Sequence, residues 1–268
     1  MSLCLFLVGC EKDDSDLANT VSGTCGSNVR WSLNTETGHL TITGTGAMND
    51  YYTDDDTDDD TDPAPWYIYR VYLKTVEIAD GVTSIGEGAF ADCERLTSVT
   101  IGNSGKSIGV LAFWDCYSLT SVTIPNSVTS IGDGAFSGCD GLTSVTIGNS
   151  VKSIGEEAFL SCCGLTSVTI GNSVTTIGSS AFSGCRGLTS VTIPNSVTTI
   201  GGWAFSWCFG LTSVTVDIAT PLVIDDYVFE DINMANCTLY VPAGSVERYK
   251  SAKVWKDFGQ ILPIGGGR

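Results

Sequence analysis

Between residues 84 and 216 the apolar positions follow one pattern again and again. Setting Ser84, Ser107, Ser130, Ser153, Thr176 and Thr199 in register gives six gapless 23-residue units. Their shared form is [ST]-I-G-x-x-A-F-x-x-C-x-x-L-T-S-V-T-[IV] followed by five turn residues. In Leu142–Ile147, Val145 and Ile147 alternate with Ser144 and Thr146, so each unit predicts a strand with one apolar and one hydroxylated face. Pro or Gly and then Asn-Ser end that strand and turn the chain. Ile131 begins a return leg, Gly132 allows a tight bend, and Ala135 with Phe136 forms a short turn, helical or not, that plugs the coil. A single coil cannot bury its own faces, so the copies must stack, each serving as its neighbour's core.

The series frays at both ends. Leu73–Ile78 is a leading strand, Val223–Phe229 repeats the return leg after a one-residue insertion, and Thr238–Pro242 reads as a last rung. That arrangement predicts about eight parallel rungs. Upstream, Trp31, Leu33, Leu40 and Ile42 alternate around a turn at Asn34–Gly38, the signature of a hairpin that covers the first edge. Downstream, a short helix near Val246–Ala252 and the side chains of Trp255, Phe258 and Ile261 are expected to seal the other end. The expected fold is therefore a mainly β solenoid, a right-handed leucine-rich-repeat coil with a parallel sheet, an N-terminal hairpin cap and a short C-terminal helical cap. The expected organisation is a lipoprotein-type signal and tether at 1–22, a β cap at 23–72 with an Asp-rich loop at 54–62, the solenoid at 73–241 and a C-terminal cap at 242–268.

Units such as "SIGDGAFSGCDGLTSVTIGNSVK" resemble the BspA-like leucine-rich repeats, a Treponema-type variant found on bacterial surfaces. The flanks "SGTCGSNVRWSLNTETGHLTITGTGAM" and "LYVPAGSVERYKSAKVWKDF" also resemble those of such proteins. The resemblance implies a surface protein that adheres to host extracellular matrix or to other cells. Departures are the Asp-rich insertion, Gly105 where later units have Val, and the drifting seventh repeat.

Charge narrows the partners. A formal net charge of −17 excludes the basic footprint that nucleic acid or an anionic membrane surface requires. Membrane association is expected only through the N-terminus, where Leu7-Val8-Gly9-Cys10 resembles a lipobox with Cys10 as the lipid-attachment residue. The following Glu11-Lys12-Asp13-Asp14 resembles an export signal to the outer face of the cell, so the expected location is the bacterial outer membrane, surface-exposed. Secreted and periplasmic placement are the alternatives, and a monomer is expected.

The cysteines repeat with the units. Cys93, Cys116, Cys139, Cys162, Cys185 and Cys208 are each 23 residues from the next, without the CxxC pairs or clustered histidines of a zinc site. A buried ladder of free thiols is expected, with Cys163 the exposed and reactive one. No cofactor and no metal centre are expected. Asp54, Asp56 and Asp58 form the one oxygen-rich run that could take calcium, yet it lacks the Gly and terminal Glu of an EF-hand loop. A solvated loop is the better reading.

An enzyme is not expected. His39 is the sole histidine and lies in the cap hairpin, and no nucleophile elbow or dinucleotide fingerprint is present. A glycan-active carboxylate pair is the weak alternative, because Glu87, Asp133, Glu156 and Glu157 occupy positions that other copies fill with Gly, Ser or Val. Two surfaces compete for binding. The strand face carries Ser98 and Thr100, Ser144 and Thr146, and their equivalents; similar Thr ranks occur on ice-binding solenoids, but Thr also simply suits an exposed strand. The variable turn carries Trp114 and Tyr117 in one unit and Trp203, Trp207 and Phe209 in another, natural anchors for a protein or glycan. Local packing is the competing explanation for these rings, and a scaffold or spacer with no contact site of its own is the runner-up function.

Overall fold

The computed structural model describes residues 19–51 and 62–265. The chain is a parallel β-solenoid with two sides of sheet in each coil. One side carries the L-T-S-V-T-I strands and the other the short [ST]-I strands. On the first side, Ser144 pairs with Ser121 and Ser167, and Thr146 with Thr123 and Thr169. On the second, seven short strands run from Gly46–Ala47 to Thr199–Ile200. Val145 and Ile147 point inward and are buried, as the alternation predicts.

The turn between the two sides plugs the coil without forming a helix; Ala135–Gly138 is a succession of turns. Its phenylalanines stack into a column. Phe90, Phe113, Phe136, Phe159, Phe182, Phe205 and Phe229 follow one another at centroid distances of 5.1–5.6 Å. From Phe113 to Phe205 the planes of successive rings differ by only 2–5°, so these coils scarcely bend relative to one another. Each fully buried ring contributes on the order of 1.5–3 kcal/mol. Trp66 continues the column at its N-terminal end, 5.4 Å from Phe90. Trp31 and Tyr51 then meet Trp66 edge-on, and at the other end Trp255 and Phe258 meet Phe229 edge-on.

The thiols form a second column. The Sγ of Cys116, Cys139, Cys162, Cys185 and Cys208 each donates to the carbonyl of the Phe 26 residues earlier, at 3.2–3.3 Å. Burial pushes the thiols of Cys93, Cys116, Cys162 and Cys185 far above their usual range and that of Cys208 to about 12. Cys163 is the most accessible cysteine of the described residues, as expected, but not an activated one. Partial burial and then the Asp140 carboxylate raise its pKa, against the weaker opposing pull of Arg186.

Other details differ from the sequence reading. The N-terminal cap has three antiparallel strands rather than two, because Thr20–Thr24 joins Val29–Asn34 and His39–Gly44. The first of these strands crosses the expected boundary at residue 22. His39–Gly44 is also the first rung, since it pairs parallel with Thr75–Ile78. The segment expected as C-terminal cap holds the helix Val246–Ser251 but ends in one more parallel rung, Gln260–Pro263 beside Thr238–Val241. Gly132 serves close approach rather than a bend: a Cβ there would sit 2.6 Å from the backbone of Gly109 and Val110, and its φ is not left-handed.

The sheet ladder is interrupted between Ser98–Ile101 and Ser121–Ile124. Val99 and Ile101 are half-buried there, unlike their counterparts in the next coil, Val122 and Ile124. The same coil carries Gly105 where later coils place the buried Val128, Val151, Val174 and Val197. A Cβ on Gly105 would lie in ordinary contact, 3.8 Å from Ile101 and 3.9 Å from Val128.

Candidate functional site

The variable turn contains two left-handed positions per coil, a feature that hydrophobic patterning does not reveal. The first is Gly88, Leu111, Gly134, Glu157, Ser180 and Trp203 in successive coils, with φ of 51–58°. The second is Asp92, Asp115, Gly138, Ser161, Gly184, Trp207 and Asp231, with φ of 55–73°. Ladder bonds along the stack hold this geometry in place. The N–H of Asp115 donates to Ser137 at 2.9 Å, that of Ser180 to Gly202 at 2.9 Å and that of Trp207 to Glu230 at 2.9 Å.

Glycine adopts such a backbone without cost, whereas a bulky L-residue is strained by about 1–2 kcal/mol. In the sixth coil both positions are tryptophan. Trp203 and Trp207 remain 45% and 49% exposed, so about half of each large ring still faces solvent. Phe209 is 58% exposed two residues on. The structure adds a residue to the group: Tyr227, also exposed, stacks on Trp203 at 5.2 Å with the rings 7° apart. The Trp203 Nε1–H donates to Glu230 at 2.9 Å, which fixes the indole. Sequence reasoning missed Tyr227 because the insertion before it shifts the repeat; the "DDYVF" alignment onto "GGWAF" was the available signal.

The earlier pair differs. Trp114 is half-buried rather than exposed, at a position occupied by serine in Ser137, Ser183 and Ser206. Tyr117 is exposed, and its hydroxyl is pushed to about 12 by its hydrogen bond to Asp115, by partial burial and by the charges of Asp115, Asp92 and Glu94. The two aromatic groups lie four coils apart along the stack, so the structure does not bring them together.

The strand face is hydroxylated as expected. A different hydroxyl, that of Thr97, Thr120, Thr143 and Thr166, is what bonds to the preceding coil. His39 lies at the N-terminal end of this face. Its Nδ1 is 2.7 Å from Thr75 Oγ1, and its Nε2 is 3.3 Å from Thr41 Oγ1 and 3.9 Å from Glu77 Oε2. The hairpin therefore does place the histidine between a hydroxyl and a carboxylate, but on an open face. Nucleophilic catalysis also requires donors converging on a bound oxyanion. A cleft beside the hairpin is lined by Leu33, Thr35, Gly38, Tyr69 and Tyr72, with no carboxylate, histidine, lysine or cysteine among them. Among the described residues no three metal-ligating side chains converge, and no helix is long and apolar enough to cross a membrane. Cys10 and the run containing Asp54, Asp56 and Asp58 lie outside the described residues.

Comparison with known proteins decides the family. A model of the BspA type leucine rich repeat region matches in six copies, over residues 67–188 and 153–249. The chain belongs to this family. Among solved structures it is similar to a leucine rich repeat protein of T. pallidum, at 27% identity and a TM-score of 0.50, over 70% of this chain and 91% of that one. It is also similar to a leucine-rich repeat protein from Bacteroides ovatus, at 24% identity and a TM-score of 0.49, over 89% of this chain and 76% of that one. A leucine rich cell surface protein from Faecalibacterium prausnitzii shares 22% identity over 91% of this chain and 95% of that one, with a TM-score of 0.28. Among curated proteins none matches.

Proposed function

We propose that this leucine-rich repeat protein is a non-enzymatic, surface-tethered adhesion module that holds a protein or glycan partner through the aromatic surface of its sixth and seventh coils. One observation carries the reading. Trp203 and Trp207 place large, half-exposed rings at left-handed positions that other coils fill with Gly134, Glu157, Ser180, Gly138, Ser161 or Gly184. A large ring left half in solvent on a strained backbone supports a contact role. Trp and Tyr are also the residues that most often dominate binding interfaces. Tethering through Cys10 is supported by the Leu7–Cys10 motif and the acidic residues after it.

The test is a binding screen of the folded chain against host matrix proteins, whole cells and glycans, repeated with Trp203→Ala and Trp207→Ala together. Saturable binding by the wild type is expected, with loss in a variant that still unfolds cooperatively, its melting temperature lowered by the missing Tyr227 stack and Glu230 hydrogen bond. A folded variant that binds as well as the wild type removes the aromatic surface from the argument. Protease treatment of intact cells is expected to strip the protein, and full protection would exclude the cell surface. The spacer reading rests on the near-parallel phenylalanine column, which makes a straight rod; it predicts no saturable partner at all.

A further inference from the structure

The aromatic surface is set among carboxylates. Glu230 accepts the Trp203 indole N–H, Asp225 accepts the Tyr227 backbone N–H at 2.9 Å, and Asp231 is the exposed residue after Glu230. Asp226 is paired with Lys253 at 2.7 Å; among the described residues no other ion pair reaches this group. Tyr117, four coils earlier, is a single exposed ring near the carboxylates of Asp115, Asp92 and Glu94. The cations of the variable turns are Arg95 and Arg186, each in the coil before an exposed ring. Two separate places thus combine exposed π faces with excess negative charge.

That combination selects among partners. A neutral glycan would use the rings and could donate its hydroxyls to the carboxylates, but it would gain nothing from their long-range field. An acidic partner would be repelled, since the whole chain is already at −17. A guanidinium or ammonium group gains from both, through the ring quadrupole and through the carboxylates. The column advances 5.1–5.5 Å per coil, which separates the two patches by roughly 20 Å along the stack. An extended peptide covers that distance in about six residues.

We infer that the partner's contacting element is a basic polypeptide segment whose arginine or lysine side chains seat on the Trp203–Tyr227 and Tyr117 rings inside these carboxylate collars. The inference rests on the aromatic surface being the binding site and adds the chemistry of what binds there.

The experiment titrates the full chain by calorimetry with a Gly/Ser peptide carrying several arginines, its counterpart with glutamates, and a neutral β-glucan oligosaccharide. Saturable binding of the arginine peptide alone is expected, weakening as salt rises from about 0.05 to 0.5 M. Trp203→Ala should weaken it about tenfold. Glu230→Gln combined with Asp231→Asn should weaken it several-fold, with melting temperature as the folding control. Equal affinity of the arginine peptide for wild type and Trp203→Ala would reduce the effect to general acidity and overturn the inference. Oligosaccharide binding that needs Trp203, without arginine-peptide binding, would also overturn it while leaving the aromatic site standing. In the matrix and cell screen, a partner lost with Trp203→Ala but indifferent to the carboxylate variants and to salt has the same meaning.

Discussion

Within seven residues of the sixth coil, Trp203–Phe209, the chain presents two opposite solutions to placing an aromatic ring. Phe205 points inward, fully buried between Phe182 and Phe229. Trp203 and Trp207 flank it on left-handed backbone and stay near half exposed. The inner ring is repeated in every coil and could be exchanged among them; the outer rings occur in only some coils. Energy of folding and specificity of contact are thus assigned to different sides of one turn, and substitutions on either side should separate them.

The largest effect is expected from the thiols on the inner side. Folded Cys93, Cys116, Cys162, Cys185 and Cys208 hold their protons well above the usual value of 9.0, whereas the unfolded chain releases them there. The unfolded state therefore binds fewer protons at alkaline pH. Stability is intact below about pH 9 and falls as pH rises toward the folded pKa values, by about 1.4 kcal/mol per pH unit for each thiol. Urea midpoints at pH 7, 9 and 10 measure the slope, and Cys185→Ala should make it shallower. Next comes Phe159→Ala, which opens a cavity mid-column and should cost about 3–5 kcal/mol while leaving partner affinity unchanged. A cost below about 1 kcal/mol would mean that the column is not the source of stability.

On the outer side, Trp207→Gly should abolish or sharply reduce binding. Relief of left-handed strain offsets part of the lost burial and of the added entropy of glycine, so stability should fall by no more than about 2 kcal/mol. A large loss of stability would reassign Trp207 to packing. The smallest effect is Gly105→Ala. Its Cβ finds room beside Ile101 and Val128, so a gain of about 0.4–1 kcal/mol is expected, seen as a raised melting temperature.

The inner side was almost entirely readable from the sequence. Period 2 in Leu142–Ile147 and the recurrence of Phe136 and Cys139 specify which atoms face the core, because burial acts on every copy alike. The outer side was readable only in part. That Trp203 and Trp207 are unusual was visible, but their backbone strain depends on ladder bonds to the next coil, as in Trp207 to Glu230. The stacking of Tyr227 on Trp203 likewise depends on contacts that cross an insertion. Trp114 misled because a half-buried ring and an exposed one look the same in a repeat position. Thr20–Thr24 and Gln260–Pro263 were missed because neither carries the repeat's alternation; each becomes a strand through its pairing partner.

The edge-on rings at the two ends of the phenylalanine column have a consequence for assembly. A parallel ring stack has no intrinsic length, and an uncovered terminal face would accept the first ring of another molecule, head to tail, as readily as it accepts its own neighbour. Such heterologous contacts do not close and lead to filaments. Trp31 and Tyr51 on one end, and Trp255 and Phe258 on the other, pack steeply against the last rings, so the parallel stack stops there. They act as chain terminators, keeping a core built from interchangeable parts from growing beyond one polypeptide.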